Sequence, residues 1–296
     1  MPGNLPVPPL SVTYQWPAPN YIDPIRRNWM PAYAGTVHMV GTVLVFMRFW
    51  LRARRIGGGF GLDDVFLFPS WLLSTALVAL AIYSSRHGFI DRHIWDLPAY
   101  KRPSEALNAW IASFVFLLGS SFIKLSILLF YRRLQARAYN PRWLLAIHAA
   151  MVFTVLYTLG LILALMFNCT PTQAYWKAYD PAWTREYHCV DTVTISILAG
   201  VLSIVSDAYS VALPCVMLNG LKIPKQQKMG LNVVFLVGSV VVGAGIMRTY
   251  EFHRLTREWD TTWVGFSVYV WSLLEYELGI ICACAPSLRV IMKSFI

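Results

Sequence analysis

Seven apolar blocks, each about as long as a bilayer's hydrocarbon layer is thick, dominate this 296-residue sequence. A helix rises about 1.5 Å per residue, so roughly 20 apolar residues cross that layer. Backbone amides and carbonyls find no water there, and each block must pair them internally as a helix. The sequence therefore predicts an all-α polytopic membrane protein with a seven-transmembrane-helix bundle. The blocks are 31–51, 64–84, 105–131, 143–168, 192–218, 230–250 and 263–285.

Composition supports this prediction and argues against a nucleic-acid-binding protein. Hydrophobic residues make up 57% of the chain and charged residues only 14%, whereas about a quarter of a soluble domain is charged. The formal net charge is +10, but the basic residues form short clusters between apolar blocks, where they would flank a lipid bilayer. We predict a multi-pass membrane protein, and the sequence does not distinguish plasma membrane from endomembrane.

Loop charges predict the orientation. Lys and Arg are similarly numerous on both sides, but the loops after spans one, three and five are shorter and hold them closer to the span ends, where they orient spans. Acidic residues concentrate on the opposite side. We predict an extracytosolic Pro-rich tail (1–30), a transmembrane domain (31–286) and a short cytosolic tail (287–296). The tail 1–30 lacks a secretory signal pattern, so the first span would direct insertion.

Two of the five cysteines, Cys169 and Cys189, fall in the loop after the fourth span. On the oxidising side of a membrane they favour a disulfide. It would close a loop of about twenty residues and contribute about 3 kcal/mol of constraint. Two free thiols are the alternative.

Charged residues inside the spans are the candidate functional residues, because ionisable groups at membrane depth are costly and usually face the bundle interior. Arg48 and Arg248 lie near span ends, where we expect them to extend to the interface. Asp207 and Glu275 lie deep. The full set is Arg48, Lys124, Asp207, Arg248, Glu275 and Glu277.

Our hypothesis is a network of Lys124, Asp207 and Glu275 among spans three, five and seven, with Arg248 a further candidate. Trp271 lies one turn from Glu275 on the same helix face. The network could form the floor of a ligand pocket or a charge contact that shifts between two states. Alternatively, it is a static polar contact worth about 0.6 kcal/mol per hydrogen bond. Glu277 lies about 200° around the helix from Glu275 and cannot face the same pocket.

Histidine spacing matches no metal motif, and we predict neither a metal nor a cofactor. His87, His93, His188 and His253 are expected in solvated loops. His38 and His148 lie within spans, where we expect interhelical hydrogen bonds.

Several segments together resemble the fungal rhodopsin-like integral membrane family, which includes the satratoxin-cluster type of membrane protein. The resemblance extends from about residue 31 to about residue 290. It implies a seven-helix, receptor-like fold; related proteins are thought to sense surface or chemical cues, and others accompany secondary-metabolite gene clusters. The segments are RRIGGGFGLDD (54–64), GFIDRHIWD (88–96), FIKLSILLFYRRL (122–134), Asp207 with Pro214, Arg248, and Trp271-x-x-x-Glu275 leading to the CAPSLR run that ends at Arg289.

Retinal is not expected despite the family's name. A retinal Schiff base requires a lysine in the seventh span, and the block 263–285 contains none. The chain also lacks the acidic-Arg-Tyr and Asn-Pro-x-x-Tyr motifs of common G-protein-coupled receptors and the Cys-rich domain of some relatives.

Three functions remain open at this stage. The first is a receptor-like sensor of an unknown small-molecule ligand, whose basic inner loops could dock a cytosolic partner. The second is a membrane-embedded accessory protein or enzyme of secondary metabolism, a cyclase or isomerase with Asp207 and Glu275 as acid and base. The third is a transporter, which the odd span number and the lack of an internal repeat disfavour.

Overall fold

The computed structural model describes residues 8–56, 58–135, 141–180, 182–218 and 225–294. Within them, seven helices are long and apolar enough to cross a membrane, which confirms the predicted multi-pass bundle. The helices are α1 (Met30–Ala53), α2 (Leu62–Arg86), α3 (Arg102–Gln135), α4 (Pro141–Met166), α5 (Thr192–Leu218), α6 (Lys225–Arg257) and α7 (Thr261–Ser294).

The seven helices are packed so that sequence neighbours touch and α7 returns to α1. Helix α3 also contacts α5 and α7, and α7 also contacts α2. These two helices form the centre: half of the apolar window of α3 and 61% of that of α7 are buried. The outer faces carry exposed apolar side chains such as Leu145, Leu156 and Leu236, as expected of a surface in contact with lipid.

Local sequence signals explain how several helices begin and continue. Asp191 precedes α5, and its carboxylate accepts hydrogen bonds from the Val193 amide at 3.0 Å and the Thr194 hydroxyl at 2.6 Å. The Thr194 hydrogen bond lowers the pKa of the Asp191 carboxyl. Pro69 and Pro214 lie inside α2 and α5 without ending them. Neighbouring groups in a bundle can accommodate such prolines.

One end of the bundle, which we call the disulfide end, carries two antiparallel strands of two residues each, β1 (Cys169–Thr170) and β2 (His188–Cys189). The cysteines face each other in register and are joined by a disulfide. Burial and the charge of Glu105 raise the pKa of Tyr175 in this loop to about 12. The other end, where α2 begins, is the Asp63 end.

The N-terminal segment folds over the disulfide end. The Asn20 amide donates to Asp96 Oδ1 at 2.8 Å, and the Arg27 amide donates to the Asp91 carbonyl at 2.8 Å. His93 is stacked between Trp95 and Trp263, with ring centroids 4.5 and 4.0 Å away.

The expectation that His93 is a solvated loop histidine is wrong. Its Nδ1 lies 2.5 Å from Asp260 Oδ2. Since Asp260 immediately precedes α7, this contact joins the loop between α2 and α3 to the start of the seventh helix. Sequence spacing did not reveal the contact because the two residues are 167 positions apart.

Candidate functional site

Four charged side chains meet in the middle of the bundle, and we call Lys124, Asp207, Arg248 and Glu275 the central cluster. Their exposed fractions are between 3% and 5%. Lys124 Nζ lies 3.1 Å from Asp207 Oδ1, which connects α3 to α5. Arg248 Nε lies 2.7 Å from Glu275 Oε2, which connects α6 to α7. The two positive and two negative groups cancel, so the cluster as a whole is neutral.

The Lys124 ammonium uses its remaining donors on α5. It donates to the hydroxyls of Ser206 and Ser203, the latter at 3.2 Å. The hydroxyl of Tyr157 on α4 is 3.4 Å away. An ammonium with several acceptors can stay charged at membrane depth. Lys124 therefore holds α3, α4 and α5 together instead of reaching the membrane interface.

Arg248 is likewise turned inward, so the expectation that it extends to the interface is wrong. Its Nε and second amino group both donate to the Glu275 carboxylate, at 2.7 and 3.1 Å. The guanidinium carbon lies 4.5 Å from the centre of the Phe116 ring. A bidentate carboxylate and an aromatic face together stabilise a buried guanidinium better than a helix end does.

Ser203 links the two ion pairs. It accepts a hydrogen bond from Lys124 and donates one to Glu275 Oε1 at 3.2 Å. The second oxygen of Asp207, Oδ2, is buried and has no hydrogen-bond partner among the described residues. The structure thus brings together Lys124, Asp207, Arg248 and Glu275, and it leaves one carboxylate oxygen unsatisfied.

A small cavity of about 40 Å³ adjoins the central cluster between α3, α5, α6 and α7. Lys124, Asp207 and Glu275 form part of its wall. Most of the remaining wall is apolar, as is usual for the lining of small-molecule sites. Trp271 is half-buried and does not belong to the described cavity lining. Of the predicted pocket candidates, Trp271 and Arg248 therefore lie outside the wall.

A second group of buried charges lies at the Asp63 end, and we call Arg48, Arg52, Asp63 and Asp64 the end cluster. Arg48 is fully buried, so the expectation that it extends to the interface is wrong. It binds Asp63 Oδ2 at 2.5 Å, Asp64 Oδ1 at 2.7 Å and the Ala283 carbonyl at 2.5 Å. Arg52 binds Asp63 Oδ2 at 3.1 Å. These contacts join α1, α2 and α7.

Arg52, Asp63 and Asp64 lie at or just beyond the ends of the first two apolar blocks, where the sequence predicts solvated loop charges. All three are at least nine-tenths buried. A sequence signal existed: Arg48 and Arg52 are four residues apart and share a helix face, and the two aspartates begin the next helix. An arginine pair and an aspartate pair joined by a short turn predict a contact.

Glu277 takes part in a third buried contact, on the side of α7 away from Glu275. His38 Nδ1 lies 2.8 Å from Glu277 Oε1, and the Ser74 hydroxyl donates to the same oxygen. His38 thus makes the interhelical hydrogen bond expected of it. His148 does not, because its Nδ1 contacts the Leu144 carbonyl of its own helix at 2.8 Å.

Similarity to known proteins identifies the family. The family model described as the fungal rhodopsin domain matches residues 47–294. The chain belongs to this family. No solved structure matches it.

Curated relatives of the fungal rhodopsin domain protein carry varied names. The chain is 26% identical to the Stachybotrys chartarum satratoxin biosynthesis SC1 cluster protein 4, over 60% of this chain and 62% of the relative. It is 25% identical to an Emericella nidulans SAT4 family membrane protein, over 79% and 57%. It is 23% identical to the Arthrobotrys oligospora receptor GIN3, over 84% and 58%. The chain thus spans about three-fifths of the length of the curated relatives it matches.

Proposed function

We propose that this fungal rhodopsin domain protein is a receptor-like sensor that binds a small molecule in the cavity beside the central cluster, without retinal. One observation carries the proposal: the cavity wall includes Lys124 and Asp207 from one ion pair and Glu275 from the other. A molecule bound there contacts helices that are fastened in two separate pairs. The name of the relative receptor GIN3 agrees with this proposal.

The central cluster suggests how binding would change the protein. One ion pair fastens α3 to α5 and the other fastens α6 to α7. Ser203 connects the pairs through a hydrogen bond of 3.2 Å to Glu275. Such a bond contributes only about 0.6 kcal/mol in a membrane. A ligand with modestly different affinities for two arrangements of the helix pairs would shift their populations.

Retinal has no obvious attachment point in this proposal. The membrane-crossing window Thr261–Ala285 of α7 contains no lysine. The Lys124 ammonium on α3 is committed to Asp207 and to two serine hydroxyls. A Schiff base needs a free amine.

We also propose the orientation predicted from the sequence, with the disulfide end outside the cytosol. The disulfide Cys169–Cys189 supports it, because disulfides persist in oxidising compartments. Arg54, Arg55 and Arg133 are exposed at the Asp63 end and could dock an acidic cytosolic partner. Epitope tags at the two termini test the orientation: antibody access to both from the same side would refute it.

A second candidate function is an accessory protein or enzyme of secondary metabolism. Relatives are named after satratoxin and polyenoic-acid biosynthesis clusters. Two carboxylates also approach each other beside Gly245: a methyl group added there would lie 3.2 Å from Glu275 Oε2 and 3.7 Å from Asp207 Oδ2. Such a pair could supply an acid and a base.

Gene deletion in the fungal host separates the two candidates. The deletion strain is rescued with the wild type, with Asp207→Asn/Glu275→Gln, or with the control Glu258→Gln, a half-buried glutamate outside the central cluster. A sensor predicts that the transcriptional response to a culture extract is lost in the deletion strain and in the double variant, while no biosynthetic intermediate accumulates. Accumulation of one intermediate, with an unchanged response to the extract, would establish the second candidate instead.

A further inference from the structure

The cavity beside the central cluster is lined by hydroxyl groups whose hydrogens are already committed. The Ser120 hydroxyl donates to the Leu117 carbonyl at 3.3 Å. The Ser210 hydroxyl donates to the Ser206 carbonyl at 2.8 Å. A hydroxyl that donates its single hydrogen keeps acceptor capacity on the oxygen. Across the described part of the chain, no hydrogen bond to either serine oxygen is formed.

The charged residues of the wall likewise have committed donors and a free acceptor. The three hydrogens of the Lys124 ammonium have acceptors in Asp207, Ser206 and Ser203. Asp207 Oδ2 is a buried acceptor for which the described residues provide no donor. Among the residues that the structure describes, the wall therefore offers spare hydrogen-bond acceptors and no comparable spare donor, apart from the weak donor of the Cys282 thiol.

Charge balance restricts the ligand further. The central cluster is neutral, with each cation paired to a carboxylate at 3.1 Å or less. An ionic ligand would bring an unpaired charge to membrane depth, which is costly. Most of the rest of the wall, including Ile123, Ile127, Val211 and Val241, is apolar and suits a hydrocarbon body.

We propose that the cavity binds an uncharged, largely apolar molecule that carries a hydroxyl group, with the hydroxyl hydrogen donated to the acceptors of the wall. The inference rests on the proposed function for its assignment of this cavity as the ligand site. It adds a chemical class: alcohols are bound, whereas the corresponding ethers lack the donor and bind more weakly. The stretch of α3 from Ser120 to Tyr131 in the wall extends about 16 Å at about 1.5 Å per residue. An elongated body would lie along this helix, and the small cavity of about 40 Å³ would take its hydroxyl end.

Photolabelling of the full chain in phosphatidylcholine nanodiscs tests the inference. The probe is a twelve-carbon primary alcohol with a diazirine in mid-chain, and its methyl ether is the matched control. We expect the alcohol to label α3 between residues 120 and 131 and α7 between 279 and 282. Labelling there by the ether should be about fivefold weaker, the factor for one net hydrogen bond. Both probes should label lipid-facing residues such as Leu156 equally.

Variants separate the hydroxyl preference from the cavity itself. Ser120→Ala with Ser210→Ala removes two acceptors without filling the cavity but leaves Asp207 Oδ2, so we expect the alcohol's advantage to be reduced and not abolished. Ser113→Ala is the control, because this exposed serine on α3 also donates to its own helix, to the Ala109 carbonyl at 2.9 Å, but lies outside the cavity lining. It should leave the advantage unchanged.

The outcomes are distinct. Equal cavity labelling by alcohol and ether in the wild type would overturn the hydroxyl preference, and labelling confined to lipid-facing residues would overturn the binding site. If either occurs while the deletion strain still loses its response to the extract, the sensor proposal stands without this inference. Selective cavity labelling by the alcohol, with a normal response in the deletion strain, supports the inference and refutes the sensor proposal.

Discussion

The two clusters of buried charge differ in how many carboxylates each cation contacts and in whether a cavity lies beside them. In the end cluster, Arg48 binds two carboxylates and a backbone carbonyl, and the Asp63 carbonyl accepts a hydrogen bond of 2.6 Å from Ser126. In the central cluster, each cation contacts one carboxylate, and a cavity adjoins the cluster. Asp207 Oδ2 has no hydrogen-bond partner among the described residues. The first arrangement suits a fixed joint between helices, and the second leaves space for a ligand and for movement.

The largest effect is expected from Arg48→Ala. This variant removes the fully buried arginine that binds both carboxylates and leaves Arg52 as their remaining buried cation. Removing one member of a buried ion pair destabilises by about 3–5 kcal/mol. We expect a severe loss of folded protein in detergent and a lower unfolding temperature. The exposed control Arg54→Ala, at the end of the same helix, should unfold like the wild type. Normal thermal stability of Arg48→Ala would show that the end cluster is not a structural joint.

Exchange of charges in the central cluster should have the next largest effect. Lys124→Asp and Asp207→Lys each place two like charges together in the bundle, whereas the double variant restores opposite signs. We expect each single variant to be destabilised and the double variant to recover about 1–3 kcal/mol, the usual coupling of contacting residues. Unfolding measurements on all four proteins give the coupling. Strict additivity would show that the 3.1 Å ion pair contributes nothing.

A methyl group added to a neighbouring glycine measures how far the side chains of each cluster can move. In Gly61→Ala the methyl group would collide with Asp63 Oδ1 of the end cluster, and we expect a loss of about 1–3 kcal/mol. In Gly245→Ala it would lie 3.2 Å from Glu275 Oε2 of the central cluster. The adjoining cavity gives this side chain room to shift, so we expect a loss below about 1 kcal/mol.

Each glycine variant has a matched control. A methyl group added at Gly59 or at Gly243 meets nothing within 4 Å, so Gly59→Ala and Gly243→Ala report the backbone effect alone. Unfolding temperatures corrected by these controls compare the two clusters directly. If Gly245→Ala proved as damaging as Gly61→Ala, the central cluster would be as rigid as the end cluster.

The smallest effect is expected from Ser203→Ala, which removes the hydrogen bond between the two ion pairs. A loss of about 0.6 kcal/mol follows from the usual strength of such bonds in membranes. The control is Ser239→Ala, since this exposed hydroxyl on α6 donates within its own helix, to the Phe235 carbonyl at 2.9 Å. Although stability hardly changes, hydrogen exchange of the backbone amides in α6 and α7 should increase in Ser203→Ala and not in Ser239→Ala. Unchanged exchange would mean that Ser203 does not couple the helix pairs.

Sequence reasoning succeeded where the secondary structure, the depth or the helix face of a residue depends on its neighbours along the chain. The seven apolar blocks predicted the seven helices, because lipid gives a backbone no alternative hydrogen-bond partners. Depth along a helix identified Asp207 and Glu275 as buried groups, and helical angle placed Glu277 on another face. The same reasoning failed for Arg48 and Arg248, because nearness to a span end indicates that a side chain can reach water but not whether a closer carboxylate binds it.

The sequence alone determined the membrane-spanning class, the number of spans and which charges lie at membrane depth, because these follow from hydrophobicity and the length of a helix. Only the tertiary structure decided the partners: Arg248 with Glu275, Arg48 with two aspartates, and His93 between two tryptophans. Pairing depends on which faces of distant helices meet, and that is set by side-chain packing over the whole bundle. For the same reason, the sequence suggested a pocket at Lys124, Asp207 and Glu275, but only the structure gave the other residues of its wall, such as Ser120 and Ser210.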